Sequence, residues 1–272
     1  MFKKFVKILV LISLLLSLSY ATTLYLHGDF PTKVSKTSDF DRQLEDYCIA
    51  TLANEVSSDY DDEMLKVQAI LVRTTIYKEV EENGIDAIQS SKETIDFLWH
   101  QRLKKAWDET EGQVIMYENA LALTPFHLIS CGKTRSGGDV LGNEDYPYLQ
   151  SVECLADATA ENQIENTFIP VKNLEIKEWD KAGYVTKISV DGEEMSGEVF
   201  RETYGLASSC FEFQTFENDT RIITKGVGHG LGLSQYTANQ MAINGKTSEE
   251  ILQFFFPGTE IKEVAEILWK VE

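Results

Sequence analysis

The sequence predicts an α+β protein, a single body of mixed helices and antiparallel hairpins. Three observations carry the prediction. Between about residues 44 and 108 apolar residues recur at helical spacing; through the middle of the chain the period shortens to two around turn-forming pairs; near the C-terminus capped helical segments return. Helices at both ends with hairpins between them are the pattern of segregated α+β packing, with one body or two lobes around a groove as its arrangements.

The first predicted helix runs from Leu44 to Val56, and Ser57 to Asp62 then forms a polar break rich in cap formers. A second helix is expected from about Glu63 to Glu79. Its apolar residues (Met64, Leu65, Val67, Ile70, Leu71, Ile76) cover nearly every azimuth, which marks a helix buried at the centre of a domain. A third covers roughly Ser91 to Asp108, with Ile95, Leu98, Leu103 and Trp107 as its inner face. Val114–Tyr117 and Ala122–Ser130 read as a hairpin turning at Glu118-Asn119, and "YVTKISVDGEEM" reads as another turning at Asp191-Gly192. Thr247 and Glu250 form a capping box before Ile251 to Phe256, and Pro257-Gly258 ends that helix.

At 272 residues, 43% of them hydrophobic and 11% aromatic, the chain can bury a substantial core. A formal charge of −19 would repel a phosphate backbone, which excludes nucleic acid as a partner. The opening "MFKKFVKILVLISLLLSLSYATTLYL" has the lysines and apolar run of an export signal. Cleavage after Ala21 would release a secreted protein. The apolar run from Ile8 to about Leu26 is also long enough to stay as an anchor, and with the lysines before it the rest of the chain lies outside the cytoplasmic membrane. The expected organisation is therefore an anchor or signal over 1–26 and one domain over 27–272. Four cysteines without a CxxC pair signal neither a zinc ribbon nor a disulfide framework.

Several residues stand out chemically. On a wheel of about 100° per residue, Glu55 shares the azimuth of Leu44 and Cys48, inside the apolar stripe. Either the helix frays there and water reaches the carboxylate, or Glu55 is a half-buried acid whose pKa desolvation raises, as a general acid near neutral pH requires. Gln68 lies among apolar neighbours and Arg73 on the least apolar side of the second helix; each is either an ordinary polar residue or a groove residue that binds hydroxyls. Strand alternation puts His127, Ile129 and Cys131 on one face, with Cys154 downstream. Zinc held by His127, Cys131 and Cys154, a Cys131–Cys154 disulfide, and simple burial all fit that pattern. In "KGVGHGLGLSQYTANQ" the glycines at 226, 228, 230 and 232 fall on one face of an extended segment around His229. That bare face lets another backbone or an extended ligand approach, and the chain then enters a helix at Ser234.

Three stretches together, "LANEVSSDYDDEMLKVQAILVRT", "FHLISCGKTRSGGDVLGNEDYPYLQSVEC" and "KGVGHGLGLSQYTANQMAINGKTSEEILQFFFPGTEI", resemble the stage II sporulation protein D (SpoIID) family, in order from about Arg42 to Lys262. The resemblance implies a membrane-anchored lytic transglycosylase of peptidoglycan in endospore formers. It places the catalytic glutamate on Glu55, the Q-A-x-x-x-R-T pattern on Gln68, Ala69, Arg73 and Thr74, and the glycine-rich segment on Gly228, His229, Gly230, Ser234 and Gln235. It further implies a glycan groove contacted by Gln68, Arg73, His229, Ser234 and Gln235, and no cofactor for the chemistry. A structural zinc on His127, Cys131 and Cys154 is carried over from some members of the family. The partners implied are denuded glycan strands, a cell-wall amidase acting first, and other engulfment proteins. Two other functions fit the residue types: a thiol or zinc-dependent hydrolase of wall peptide, with Cys131 as nucleophile and His229 as base, and a non-catalytic glycan-binding protein.

Overall fold

A computed structural model describes residues 39–84 and 95–264, with side chains from residue 43. The expected export segment lies outside the described residues, and no helix among those described is long and apolar enough to cross a membrane. The chain divides after Leu44. Of the first unit only the opening of helix α1 (Asp39–Glu55) is described, and every other described element belongs to the second.

Helix α2 (Asp62–Asn83) begins where Asp61 accepts a hydrogen bond from the Glu63 amide, and it ends at Gly84. Its apolar residues on all sides are buried, and α2 packs against α3 (Phe97–Glu109), α6 (Gln235–Ile243), α7 (Ser248–Phe255) and strand β1 (Gln113–Tyr117). Each fully buried Leu, Ile or Met there contributes about 1.5–3 kcal/mol relative to exposure. This is the central helix the all-round pattern predicts; it starts one residue earlier than expected and runs four residues past Glu79, to Asn83, before the Gly84 cap. Helix α3 starts at an Asp96 cap and buries Leu103, Ala106 and Trp107. Leu98, expected inside, is 71% exposed. It lies five residues before Leu103, about 140° round the helix, whereas Trp107 lies within about 40°.

Strand β1 pairs antiparallel with β2 (Ala120–Leu121) across Glu118-Asn119, both in the left-handed region, and with β11 (Glu260–Glu263). The expected second strand of that hairpin stops early. Pro125 cannot donate to a ladder, and from there β3 (Phe126–His127) turns to pair in parallel with β10 (Leu233–Ser234). A short helix α4 (Gly137–Leu141) and a 3-10 turn (Leu155–Thr159) follow β3. Two three-stranded antiparallel sheets come next. One is ordered β4 (Ile164–Ile169), β9 (Thr220–Lys225), β8 (Phe211–Thr215); the other is ordered β5 (Leu174–Trp179), β6 (Val185–Val190), β7 (Glu193–Ser196). The predicted Asp191-Gly192 turn joins β6 to β7. With helix α5 (Gly197–Tyr204) they enclose a core that includes Ile169, Val185, Ile188, Phe200, Phe211 and Ile222. The Thr247–Glu250 capping box is present at α7.

The bare face of the glycine-rich segment is filled by the protein's own chain. A Cβ on Gly232, at φ +74°, would lie 2.0 Å from the Pro125 carbonyl oxygen, and one on Gly228, at φ +111°, would lie 2.8 Å from His127 Cβ. Of the two occupants the sequence allowed, backbone and ligand, the fold uses backbone of residues 125–131 at Gly226 and Gly232, while at Gly230 the ring of Tyr184 fills the space, with a Cβ there only 2.4 Å from its hydroxyl oxygen. These positive φ angles also depart from a plain strand, and only glycine adopts them without strain.

Asp157, in the 3-10 turn, fixes this seam to helix α6. Its carboxylate has no solvent exposure and accepts from the Ser130 amide (2.7 Å), Ser130 Oγ (2.6 Å), Ser234 Oγ (2.9 Å) and Thr237 Oγ1 (2.7 Å). A buried anion is tolerated because charge-assisted donors surround it and a helix N-terminus faces it. We expect Asp157→Asn, which turns an amide N–H₂ toward those donors, to cost about 3 kcal/mol or more of stability in urea titration. The exposed control Glu175→Ala should stay within about 0.5 kcal/mol.

Candidate active site

Glu55 is the last residue of α1, and its side chain is exposed. Of the two readings open for Glu55, the structure has the first: the helix ends at this residue, so the following turn that would cover its azimuth is missing, and water reaches the carboxylate rather than burial surrounding it. What holds Glu55 is its backbone. Its carbonyl, one of those a helix C-terminus leaves without an intrahelical partner, accepts from Gln235 Nε2 at 2.7 Å. The same nitrogen lies 3.4 Å from Gln68 Oε1, and Gln235 Oε1 accepts from the Tyr60 hydroxyl at 3.4 Å. Burial pushes the Tyr60 phenol up to about 12, so it remains a donor. Three residues singled out in the sequence, Glu55, Gln68 and Gln235, thus meet at the junction of α1, α2 and α6.

The loop after Glu55 is fixed as well. Asn239 Oδ1 accepts from the Asp61 amide (2.8 Å), and Arg102 donates to the carbonyls of Ser58 (2.6 Å) and Tyr60 and to Asp62 (2.9 Å). Sequence reasoning missed Tyr60, Asn239 and Arg102. Only the polar break between two helices hinted that something must hold this loop.

The expected groove residues are largely internal. Gln68, Arg73, Ser234 and Gln235 are each at most 4% exposed, so the roles assigned to them as direct glycan contacts are corrected to roles inside the frame. Arg73, expected on the polar side of α2, stacks over the Trp107 ring at 3.7 Å and donates to the carbonyls of Trp107 (3.0 Å) and Gln113 (3.1 Å). It ties α2 to α3 and β1. Ser234 is the N-cap of α6 and binds Asp157. Gln68 Nε2, by contrast, is buried without a hydrogen-bond partner, a cost the packing alone does not explain.

His229 belongs to a second cluster. Its Nδ1 accepts from the Leu231 amide at 3.1 Å, so its ring proton sits on Nε2, and its ring lies 5.7 Å from that of His127. His127 Nδ1 is 3.1 Å from the Leu231 carbonyl, which can only accept, so Nδ1 carries the proton and Nε2 is left buried without a partner. Burial, reinforced by His229, pushes His127 down to about 3, and burial lowers His229 too.

The donor set His127, Cys131 and Cys154 does not fit a zinc ion. Cys131 Sγ is turned to the Ala182 carbonyl (3.3 Å) and to Cys210, whereas Cys154, buried, meets the side chains of Ser130 and Thr237. Among the described residues no group of three or more His, Cys, Asp or Glu side chains could hold a metal. The thiol alternative meets the same obstacle, since the partners of Cys131 are Ala182, Tyr184 and Cys210 while those of His229 are Leu231 and His127.

His127 predicts a pH dependence. A folded pKa below the unfolded value of about 6.5 means that the unfolded chain binds the proton, so stability is lost as pH falls from 6.5 toward 3, by up to about 1.4 kcal/mol per pH unit. Urea titrations of the wild type and His127→Gln at pH 7 and pH 5 should show a smaller loss in the variant. Equal losses would assign the acid sensitivity to other groups.

Residues 40–117, which span α1 through β1 and carry Glu55, Gln68 and Arg73, match the family model described as stage II sporulation protein, SpoIID. The chain is 29% identical over 264 residues to stage II sporulation protein D of Bacillus subtilis (strain 168), covering 84% of this chain and 76% of that protein. It is 28% identical over 263 residues to stage II sporulation protein D of Bacillus amyloliquefaciens, with the same coverage. It is 22% identical over 281 residues to the amidase enhancer of Bacillus subtilis (strain 168), covering 77% of this chain and 39% of that protein. The resemblance of this chain to the SpoIID family is borne out by the family model and by these relatives.

Proposed function

We propose that the chain is a peptidoglycan lytic transglycosylase of sporulation, with Glu55 as its single acid and base. The observation that carries this reading is an exposed carboxylate at the end of α1 whose backbone carbonyl is pinned by Gln235, itself held by Gln68 and Tyr60. The side chain is free to meet a polymer while its anchor is fixed, which is what a group acting on a long substrate from the protein surface needs.

In the reaction, the Glu55 carboxyl donates its proton to the glycosidic oxygen between N-acetylmuramic acid and N-acetylglucosamine. The carboxylate so formed takes the proton of the muramic acid 6-hydroxyl, whose oxygen attacks C1 of the same sugar. One C–O bond breaks and one forms, the proton returns to Glu55, and the product ends in 1,6-anhydromuramic acid without consuming water. One carboxylate suffices because the nucleophile is tethered to the substrate, unlike hydrolases that place a second carboxylate across the bond. Gln68 and Gln235 act as positioning residues. Denuded strands as substrate imply an amidase acting first, and the similarity to a protein named amidase enhancer supports a wall-remodelling setting. Anchorage outside the cytoplasmic membrane through residues 1–26 is part of the same proposal.

Mass spectrometry of denuded glycan incubated with the protein tests it. Fragments ending in 1,6-anhydromuramic acid, absent with Glu55→Gln, are expected; reducing ends would indicate hydrolysis, and intact glycan with a folded protein would indicate binding alone. For Gln68→Leu we expect stability within about 1 kcal/mol of wild type, because removing a buried amide nitrogen that has no partner offsets the loss of the long Oε1 contact to Gln235, and a rate at least about tenfold lower as Gln235 loses its support. Unchanged turnover in that variant would leave Gln68 a packing residue only.

A further inference from the structure

The glycan chemistry uses no thiol, yet the fold brings two together. Cys131 follows the stretch that bridges Ile129 to Val227, and Cys210 follows the stretch that bridges Ser208 to Gly228. Both run beside residues 225–226: the Lys225 amide donates to the Cys210 carbonyl at 2.8 Å, and a Cβ on Gly226 would lie 3.0 Å from the Cys131 amide nitrogen. Gly226 places no side chain between them, and the two sulfurs lie close enough for each to set the other's hold on its proton, with the Cys131 thiol also turned to the Ala182 carbonyl at 3.3 Å. Cys48 and Cys154 are buried elsewhere, Cys48 in α1 and Cys154 against Ser130 and Thr237.

The two thiols are also unlike. Cys131 is half-buried, and the neighbouring Cys210 thiol holds it below the ordinary thiol range against the effect of burial. Cys210 is buried, and the Cys131 thiol together with burial pushes it up. An accessible thiol with thiolate character beside a protected one is the arrangement of an attacking and a resolving cysteine.

We propose that Cys131 and Cys210 form a dithiol redox site that closes to a disulfide by exchange with a low-molecular-weight disulfide. The Cys131 thiolate attacks one sulfur of that disulfide and expels the other as a thiolate, leaving a mixed disulfide on Cys131. Cys210 then gives up its proton to solvent, attacks Cys131 Sγ and expels the second small thiolate; both leaving groups take up protons. The net change is two protein thiols oxidised to one disulfide and one external disulfide reduced to two thiols. Closure shortens the sulfur contact to about 2.05 Å and links the Ile129–Cys131 stretch to the Ser208–Cys210 stretch across Gly226, at the root of the segment that carries His229 and leads into Gln235.

The full chain, reduced and then equilibrated with oxidised glutathione, would be denatured, alkylated without reductant, and mapped by peptide mass spectrometry. The expected result is one cross-link lacking two hydrogens between the peptides of Cys131 and Cys210, with Cys48 and Cys154 alkylated. Tm should rise by about 5 °C or more over the reduced protein, reversibly with dithiothreitol. Cys210→Ser should retain glutathione on Cys131, and Cys131→Ser should carry no adduct at Cys210. Four alkylated cysteines after oxidation, a lasting glutathione adduct on Cys131 of the wild type, or a cross-link through Cys48 or Cys154 would each overturn the proposal.

Discussion

The buried Asp157 carboxylate is the constraint on which the site depends. It accepts from a turn in the middle of the chain, Ser130, and from the first turn of α6, Ser234 and Thr237. An anion without solvent cannot lose these donors one at a time at little cost, so they lock together and set where α6 begins. The next residue after Ser234 is Gln235, whose amide reaches Glu55. The position of the carbonyl that anchors Glu55 therefore traces back, through one cap and one helix start, to a carboxylate about a hundred residues away in sequence.

The glycine-rich segment serves the same end by a different means. A strand with side chains on both faces could not lie against Pro125 and His127 as this one does. Removing every second side chain lets two backbones come together, with Leu233 donating to the Pro125 carbonyl and Val227 exchanging hydrogen bonds with Ile129. The histidines brought together in this seam are neutral and internally bonded, and burial keeps them so. The bare face that in sequence could have admitted either a ligand or another part of the chain is a joint that carries α6 to its place.

How much of this was legible in the sequence depends on the range of the interactions involved. Periodicity and caps are local, so the α+β class, the all-round burial of α2, the Asp191-Gly192 turn and the Thr247–Glu250 box could be read directly. The parallel pairing of Phe126–His127 with Leu233–Ser234 could not, because nothing near Phe126 announces a partner about a hundred residues later. The wheel singled out Glu55 but could not choose between a frayed end and a covered one, because what lies beyond the last turn is set by the fold and not by the helix's own periodicity. Gln68 was noticed as a polar residue among apolar neighbours, and that oddness was real; Arg73, expected on the polar side, and Ser234 and Gln235, picked out by the helix entry and the family resemblance, are likewise held by partners inside the protein. Asp157, Arg102 and Cys210 gave no sign, since an ordinary Asp, Arg or Cys in a stretch without periodicity is distinguished only by what the fold sets beside it.

This division of labour has a consequence for a surface-acting acid. A catalytic carboxylate buried in a pocket is positioned by the packing around its side chain, whereas an exposed one has no such packing, and its reach must be limited from the backbone side. Here the limit comes from two directions. Gln235 holds the Glu55 carbonyl, and Arg102 with Asn239 holds the loop after it, so the Cα of Glu55 is fixed between a capped helix end and a tethered turn. The remaining freedom is that of one exposed side chain. In the proposed reaction, that arrangement would tolerate a long substrate lying across the protein while keeping the carboxylate oxygen within the span of a few rotamers.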